Sequence, residues 1–142
     1  MIKNIRHTGI VVTDLEASLY FYRDLLGFQV VKQMDESGEY IDKITSLQDV
    51  KVTTVKMTVS DGQMIELLKY HSHPRNKNAL DICDIGITHI AFTVNNLNVE
   101  FDRLKGKGVP FNAPPQLSAD GYAKVTFCRA PEGTIIELVE VM

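Results

Sequence analysis

The chain is short of the features that mark nucleic-acid binding, membrane insertion or a disulfide scaffold. Its 142 residues carry 15 Lys and Arg against 18 Asp and Glu, a formal net charge of -3, so no basic field is present to hold a nucleic acid. No run approaches the roughly 18 apolar residues of a membrane span. The start, Met1 to Arg6, does not read as a signal peptide, because Arg6 and His7 interrupt the apolar stretch before an h-region forms. Only two cysteines occur, Cys83 and Cys128. They are too few and too far apart for a disulfide framework or a cysteine zinc site, and are expected as reduced thiols in a cytoplasmic protein. There is no low-complexity tract. What is left is an ordinary globular composition, 44% apolar, in a chain of single-domain length whose core needs no covalent staples.

The order of elements repeats. Ile5 to Val12 reads as a strand, and Thr13 with Glu16 three residues later reads as a capping box that starts a helix. Leu15, Leu19, Tyr22, Leu25 and Leu26 fall on one face of that helix, Gly27 stops it, and Phe28, Val30 and Val31 open another strand. From Ile87 the same order returns. A strand through Ile90, Phe92 and Val94 is followed by an Asn95-Asn96 cap and a helix on Leu97, Phe101 and Leu104. Gly106 and Gly108 end that helix. The second halves also agree: Asp61-Gly62 leads into Met64-Ile65-Glu66-Leu67-Leu68, and Glu132-Gly133 into Ile135-Ile136-Glu137-Leu138-Val139. Lys51 to Val59 alternates, with Val52, Thr54, Lys56 and Thr58 on one face, and pairs back onto the first of these strands; Ala123 to Cys128 does the same for the second. Each half is βαβββ, an α+β arrangement with modules 1–70 and 85–142 joined by a polar linker, 71–84. The stretch from Met34 to Asp49 reads as a longer loop peculiar to the first half.

Four residues stand out. His7 and His89 sit in the opening strand of each module, 82 residues apart (89 minus 7), and Glu66 and Glu137 in the last, 71 apart (137 minus 66). A single histidine or glutamate in a strand is ordinarily solvated or hydrogen-bonded. Here each glutamate lies inside an apolar run, where a carboxylate must face solvent or find a partner, and both residue types recur at equivalent places. If the modules pack side by side, two imidazoles and two carboxylates converge. Such a set suits one divalent ion of Zn, Ni, Fe, Co or Mn.

The segments His7-Thr8-Gly9-Ile10-Val11-Val12-Thr13-Asp14-Leu15, Phe21 to Phe28, Ile65-Glu66-Leu67, His89 to Val94, and Pro131-Glu132-Gly133 with Ile136-Glu137-Leu138 together resemble the vicinal oxygen chelate superfamily. Glyoxalase I, methylmalonyl-CoA epimerase, extradiol dioxygenases and fosfomycin-resistance proteins belong to it. The resemblance covers nearly the whole chain. It implies one glyoxalase-like domain over 1–142, with two βαβββ modules forming a curved, half-open barrel around a metal cavity. It also implies the ligands His7, Glu66, His89 and Glu137, and a homodimer. The His/Glu/His/Glu set is similar to bacterial glyoxalase I. Val11, however, stands where that enzyme carries a glutathione-binding arginine.

The resemblance and the ligand set imply a lactoylglutathione lyase-like enzyme. It would transfer a proton next to the carbonyl of a small-molecule carbonyl or thioester substrate, with Glu137 as first choice of base and Glu66 as second. The alternatives are a methylmalonyl-CoA epimerase-like isomerase, a non-haem iron dioxygenase using two histidines and one carboxylate, and a non-catalytic small-molecule binding protein. Tyr40, in the long loop, and Tyr70 are substrate-binding candidates. His71 and His73 read as solvated linker residues, and Cys128 as core.

Overall fold

The computed structural model describes residues 1–75 and 81–142; part of the expected linker, 76–80, lies outside them. The chain divides into two compact units, Met1–Lys77 and Asn78–Met142, so the division falls within the expected linker. Each unit is built on one four-stranded sheet.

In the first unit the elements are β1 (Thr8–Val11), a helix α1 (Leu15–Leu19) that continues as a π-helix (Tyr20–Leu25), β2 (Gln29–Ser37), α2 (Glu39–Thr45), β3 (Lys51–Thr58) and β4 (Met64–Tyr70). The sheet order is β1-β4-β3-β2, with β1 parallel to β4 and the other pairs antiparallel. In the second unit β5 (His89–Thr93), α3 (Leu97–Gly106), β6 (Gln116–Leu117), β7 (Ala123–Arg129) and β8 (Ile135–Val141) give the order β5-β8-β7-β6 with the same strand directions. The βαβββ repeat is therefore present in both halves, and the fold class is α+β.

Period 2 sorts the first sheet. Ile10, Val55, Met57, Ile65 and Leu67 are buried on one face, with Leu19, Phe21, Tyr22 and Leu25 of the helix also buried. Gly9, Lys56 and Glu66 lie on the other. In the second unit α3 buries Leu97, Phe101 and Leu104, and Cys128, Ile136 and Leu138 are buried in its sheet.

Three local features differ from the sequence reading. The cap of α1 is Asp14, whose Oδ1 accepts from Ala17 N–H at 3.1 Å, rather than a Thr13–Glu16 box; the helix begins one residue later than the box requires. Asn96 does the same for α3 through Val99 N–H, as expected. The first helix then widens, Leu26 N–H donating to Phe21 O and Phe28 N–H to Tyr22 O, which places Phe21 and Tyr22 together in the core at a ring separation of 5.0 Å. Lastly, Met34 to Asp49 is not a loop. β2 runs on to Ser37, and α2 follows from Gly38, whose φ of 104° turns the chain. Ile41 of α2 packs with Val50 and Val52, joined by Leu47, Leu68 and Tyr70. Asp42 accepts from Asp49 N–H at 3.0 Å and Val50 N–H at 2.9 Å.

Candidate metal and catalytic site

Parallel pairing sets the site residues. In the first unit Gly9 lies opposite Glu66; in the second Ala91 lies opposite Glu137. His7 and His89 each stand two residues before that small residue, and so on the same face as the glutamate. The two histidine–glutamate pairs thus share one register. His7 Nε2 is 3.9 Å from Glu66 Oε1, and His89 Nε2 is 3.2 Å from Glu137 Oε2. Gly9 and Ala91 put little or no side chain beside either carboxylate.

The surroundings of the pairs differ. His89 Nδ1 is 3.1 Å from Thr88 Oγ1, and its ring meets Phe127 edge-on at 5.7 Å. With Nδ1–H donating to Thr88, Nε2 turns a lone pair toward a carboxylate oxygen, and two acceptors at that separation need a proton or a cation between them. His7 Nδ1 is buried with no hydrogen-bond partner, while Nε2 is the nitrogen turned toward Glu66. Glu66 lies between His7 and an ammonium, Lys56 Nζ being 3.7 Å from its Oε2.

The donor set suits a borderline metal. Two donors each about 2.1 Å from one ion stand roughly 3.0–3.4 Å apart in octahedral or tetrahedral geometry. The His89–Glu137 separation falls in that range, and the His7–Glu66 separation of 3.9 Å needs only a small side-chain adjustment. Among the described residues no group of three or more His, Cys, Asp or Glu side chains is assembled to hold an ion; each unit presents two donors.

Of the other residues singled out, Tyr40 lies on α2 and is 71% exposed. Tyr70 ends β4 on the Glu66 face but packs into the Ile41, Val50 and Val52 cluster. His71 is exposed, as expected, and is also tied to the sheet: its Nε2 is 2.8 Å from Thr53 Oγ1, which donates to Asp35 Oδ1 at 2.6 Å. Cys128 is fully buried. A shallow surface depression of about 580 Å³ lies over α2 and the turn after it, lined by residues that include Glu39, Asp42 and Gln48; neither His7 nor Glu66 lines it. Lys56 and Phe127 were not singled out in the sequence. Equal distance from the turn would have found both, since 56 and 66 are each five residues from Asp61, and 127 and 137 each five from Glu132. Among the described residues no helix is long and apolar enough to cross a membrane.

The family model of the Glyoxalase/Bleomycin resistance protein/Dioxygenase superfamily matches residues 4–138. A probable lactoylglutathione lyase of Synechocystis is 29% identical over 135 residues, spanning 94% of this chain and 92% of its own length. An ethylmalonyl-CoA/methylmalonyl-CoA epimerase of Cereibacter sphaeroides is 30% identical over 151 residues, spanning 99% and 100%. The crystal structure of a glyoxalase family protein from Bacillus cereus superposes with a TM-score of 0.90 at 21% identity, covering 100% of this chain and 96% of that one, a likeness of fold.

Proposed function

Since the chain belongs to the Glyoxalase/Bleomycin resistance protein/Dioxygenase superfamily, we propose that it is a divalent-metal-dependent lyase or isomerase that moves a proton on the carbon next to a substrate carbonyl. We assign His7, Glu66, His89 and Glu137 as the ligands of one Ni, Zn, Fe, Co or Mn ion. The observation that carries this reading is the duplicated register, in which both halves set a histidine and a glutamate on one sheet face with the same offset. Holding a single ion requires the two pairs to meet, either within one domain of residues 1–142 or across a homodimer.

When bound, such an ion polarises a carbonyl oxygen and so acidifies the neighbouring C–H. The proton itself is the work of the chain. Glu137 stands beside the Phe127 ring, with no lysine at the register position where Glu66 has Lys56, and it takes the proton and returns it. Glu66, held between His7 and Lys56, is the more fixed carboxylate and the second candidate. The Phe127 ring gives Glu137 an apolar neighbour where Glu66 has an ammonium.

The ligand set favours lactoylglutathione lyase-like chemistry. Val11 in place of a glutathione-binding arginine, together with the epimerase relative, favours epimerisation of an acyl thioester as the second reading. The test is elemental analysis of protein purified without chelator, alongside His7→Ala and Glu137→Ala. About one transition metal per chain, lost in both variants, is the expected result. Failure to take up Ni²⁺, Zn²⁺, Fe²⁺, Co²⁺ or Mn²⁺ would leave a non-catalytic binding protein on the same fold.

A further inference from the structure

The two halves repeat the histidine and the glutamate but not the residue beside the glutamate. Lys32, Lys56, Glu66 and Gly9 are successive cross-strand partners, one row across the first sheet, so their side chains share the face that carries His7. The matching row of the second sheet reads Phe127, Glu137, Ala91. Glu66 therefore divides its oxygens, Oε1 toward His7 and Oε2 toward Lys56 at 3.7 Å, while Glu137 has an aromatic ring at the place of the ammonium.

The charges of this face do not balance around Glu66. Lys32 and Lys56 stand directly opposite each other, an arrangement of like charges that destabilises a sheet unless an anion lies between them. One carboxylate, Glu66, faces the two ammoniums. The next acidic residue of β2 on this face, Glu36, is four positions beyond Lys32, about 13 Å away at 3.3 Å per residue. Asp35 points to the other face, where Thr53 donates to it. A carboxylate that also ligates a dication has less charge to give Lys56, so the positive surplus grows where a substrate would sit.

We propose that Lys56, assisted by Lys32, binds an anionic group of the substrate. The substrate is then a small carbonyl compound with a carboxylate one or two carbons from the carbonyl, because Lys56 Nζ lies beside a metal-ligating glutamate. This rests on the reading of His7 and Glu66 as part of a metal site. The ammonium forms a charge-assisted hydrogen bond to the carboxylate and, in doing so, is drawn from Glu66.

The test uses nickel-loaded full-length protein with nickel counted first, titrated calorimetrically with pyruvate and with its uncharged isostere pyruvamide. The wild type is expected to prefer pyruvate by about 10-fold or more, the worth of one charge-assisted hydrogen bond. Lys56→Met should lose about that factor for pyruvate, with nickel content and pyruvamide affinity unchanged, and Lys56→Arg should keep most of it. If Lys56→Met does not fold, Lys32→Met on the exposed β2 takes its place, with an expected loss of about threefold from the more distant charge. Nickel uptake with equal or no affinity for the two probes, or a Lys56→Met protein that binds pyruvate as the wild type does, would overturn this inference alone. Absence of nickel uptake would overturn the metal site and this inference with it.

Discussion

Removing the Asp42 carboxylate tests what holds α2 against the site-bearing sheet. Asp42 accepts from two backbone N–H groups across seven and eight residues of chain, Asp49 at 3.0 Å and Val50 at 2.9 Å. Val50 is buried in the cluster with Ile41 and Val52. Asp49 itself adopts a φ of 54°, a left-handed conformation that a residue other than glycine keeps only when its surroundings hold it. Asp42→Ala strips both acceptors at once. A hydrogen bond to a charged group contributes about 1.5–3 kcal/mol, and the exposed Asp49 N–H recovers part of its share from water, so the net loss is roughly 2–3 kcal/mol. At about 3 °C per kcal/mol for a chain of this length, Tm falls by roughly 6–9 °C. Asp42→Asn keeps one acceptor oxygen and should lose about half as much. Urea denaturation measures the loss, and hydrogen exchange at the Val50 amide locates it. A loss under about 0.5 kcal/mol, or unchanged Val50 protection, would refute the idea that this carboxylate fastens α2.

The cysteines should separate by burial. Burial pushes the Cys128 thiol from 9.0 up to about 12, while Cys83 is exposed, so a thiol reagent at pH 8 should count one group in the native protein and two after denaturation. Because the folded value is raised, the stability linked to Cys128 is complete below pH 9 and is lost as pH climbs toward 12; denaturation midpoints at pH 8 and pH 10.5 check the sign. Glu140→Ala should cost about 1–2 kcal/mol in a urea melt, since Glu140 accepts from Leu97 N–H at 2.8 Å at the start of α3 and pairs with Lys124. Glu66→Gln and Glu137→Gln should differ in kind: with a metal retained in both, the second should lose about 100-fold or more in turnover as the base, and equal losses would refute the assignment of roles.

The architecture was legible because two periodicities recur. Alternation in Lys51 to Thr58 and in the runs around Glu66 and Glu137 fixed which residues share a face, and a register slip would have turned every one of them over. The turns at Gly62 and Gly133, with φ of 80° and 101°, then set the offsets. What was not legible lacked a periodic signature. β2 past Val31 is exposed along nearly all its length, so no apolar face announced it. α2 is seven residues with Ile41 as its buried anchor, too short a stretch to display a helical face. The widening of the first helix has no composition signal. Asp14 displaced Thr13 as cap because the difference is one residue of helix start, below what spacing resolves. Lys56 was visible as a member of a face, but its pairing with Glu66 emerges only once the hairpin is closed.

The repeat separates positions where the task is kept from positions where the residue is kept. Three residues beyond each glutamate lies a side chain that ties the last strand to the segment opening the helix. In the first unit it is Lys69, whose ammonium donates to the carbonyl of Thr13. In the second it is Glu140, whose carboxylate accepts from Leu97 N–H. The charge has reversed, yet the join is made, because the backbone offers a donor and an acceptor and either sign of side chain can use one of them. The caps behave alike: Asp14 and Asn96 are different residues whose side-chain oxygen accepts from the N–H three residues on. Folding therefore tolerates exchange at equivalent places in the two halves. Histidine and glutamate have not been exchanged at 7, 66, 89 and 137, although a partly exposed imidazole against a carboxylate adds little stability that a Thr–Thr or Lys–Glu pair would not supply. Packing does not require an imidazole nitrogen and a carboxylate oxygen on the same face twice over, whereas binding a transition metal does.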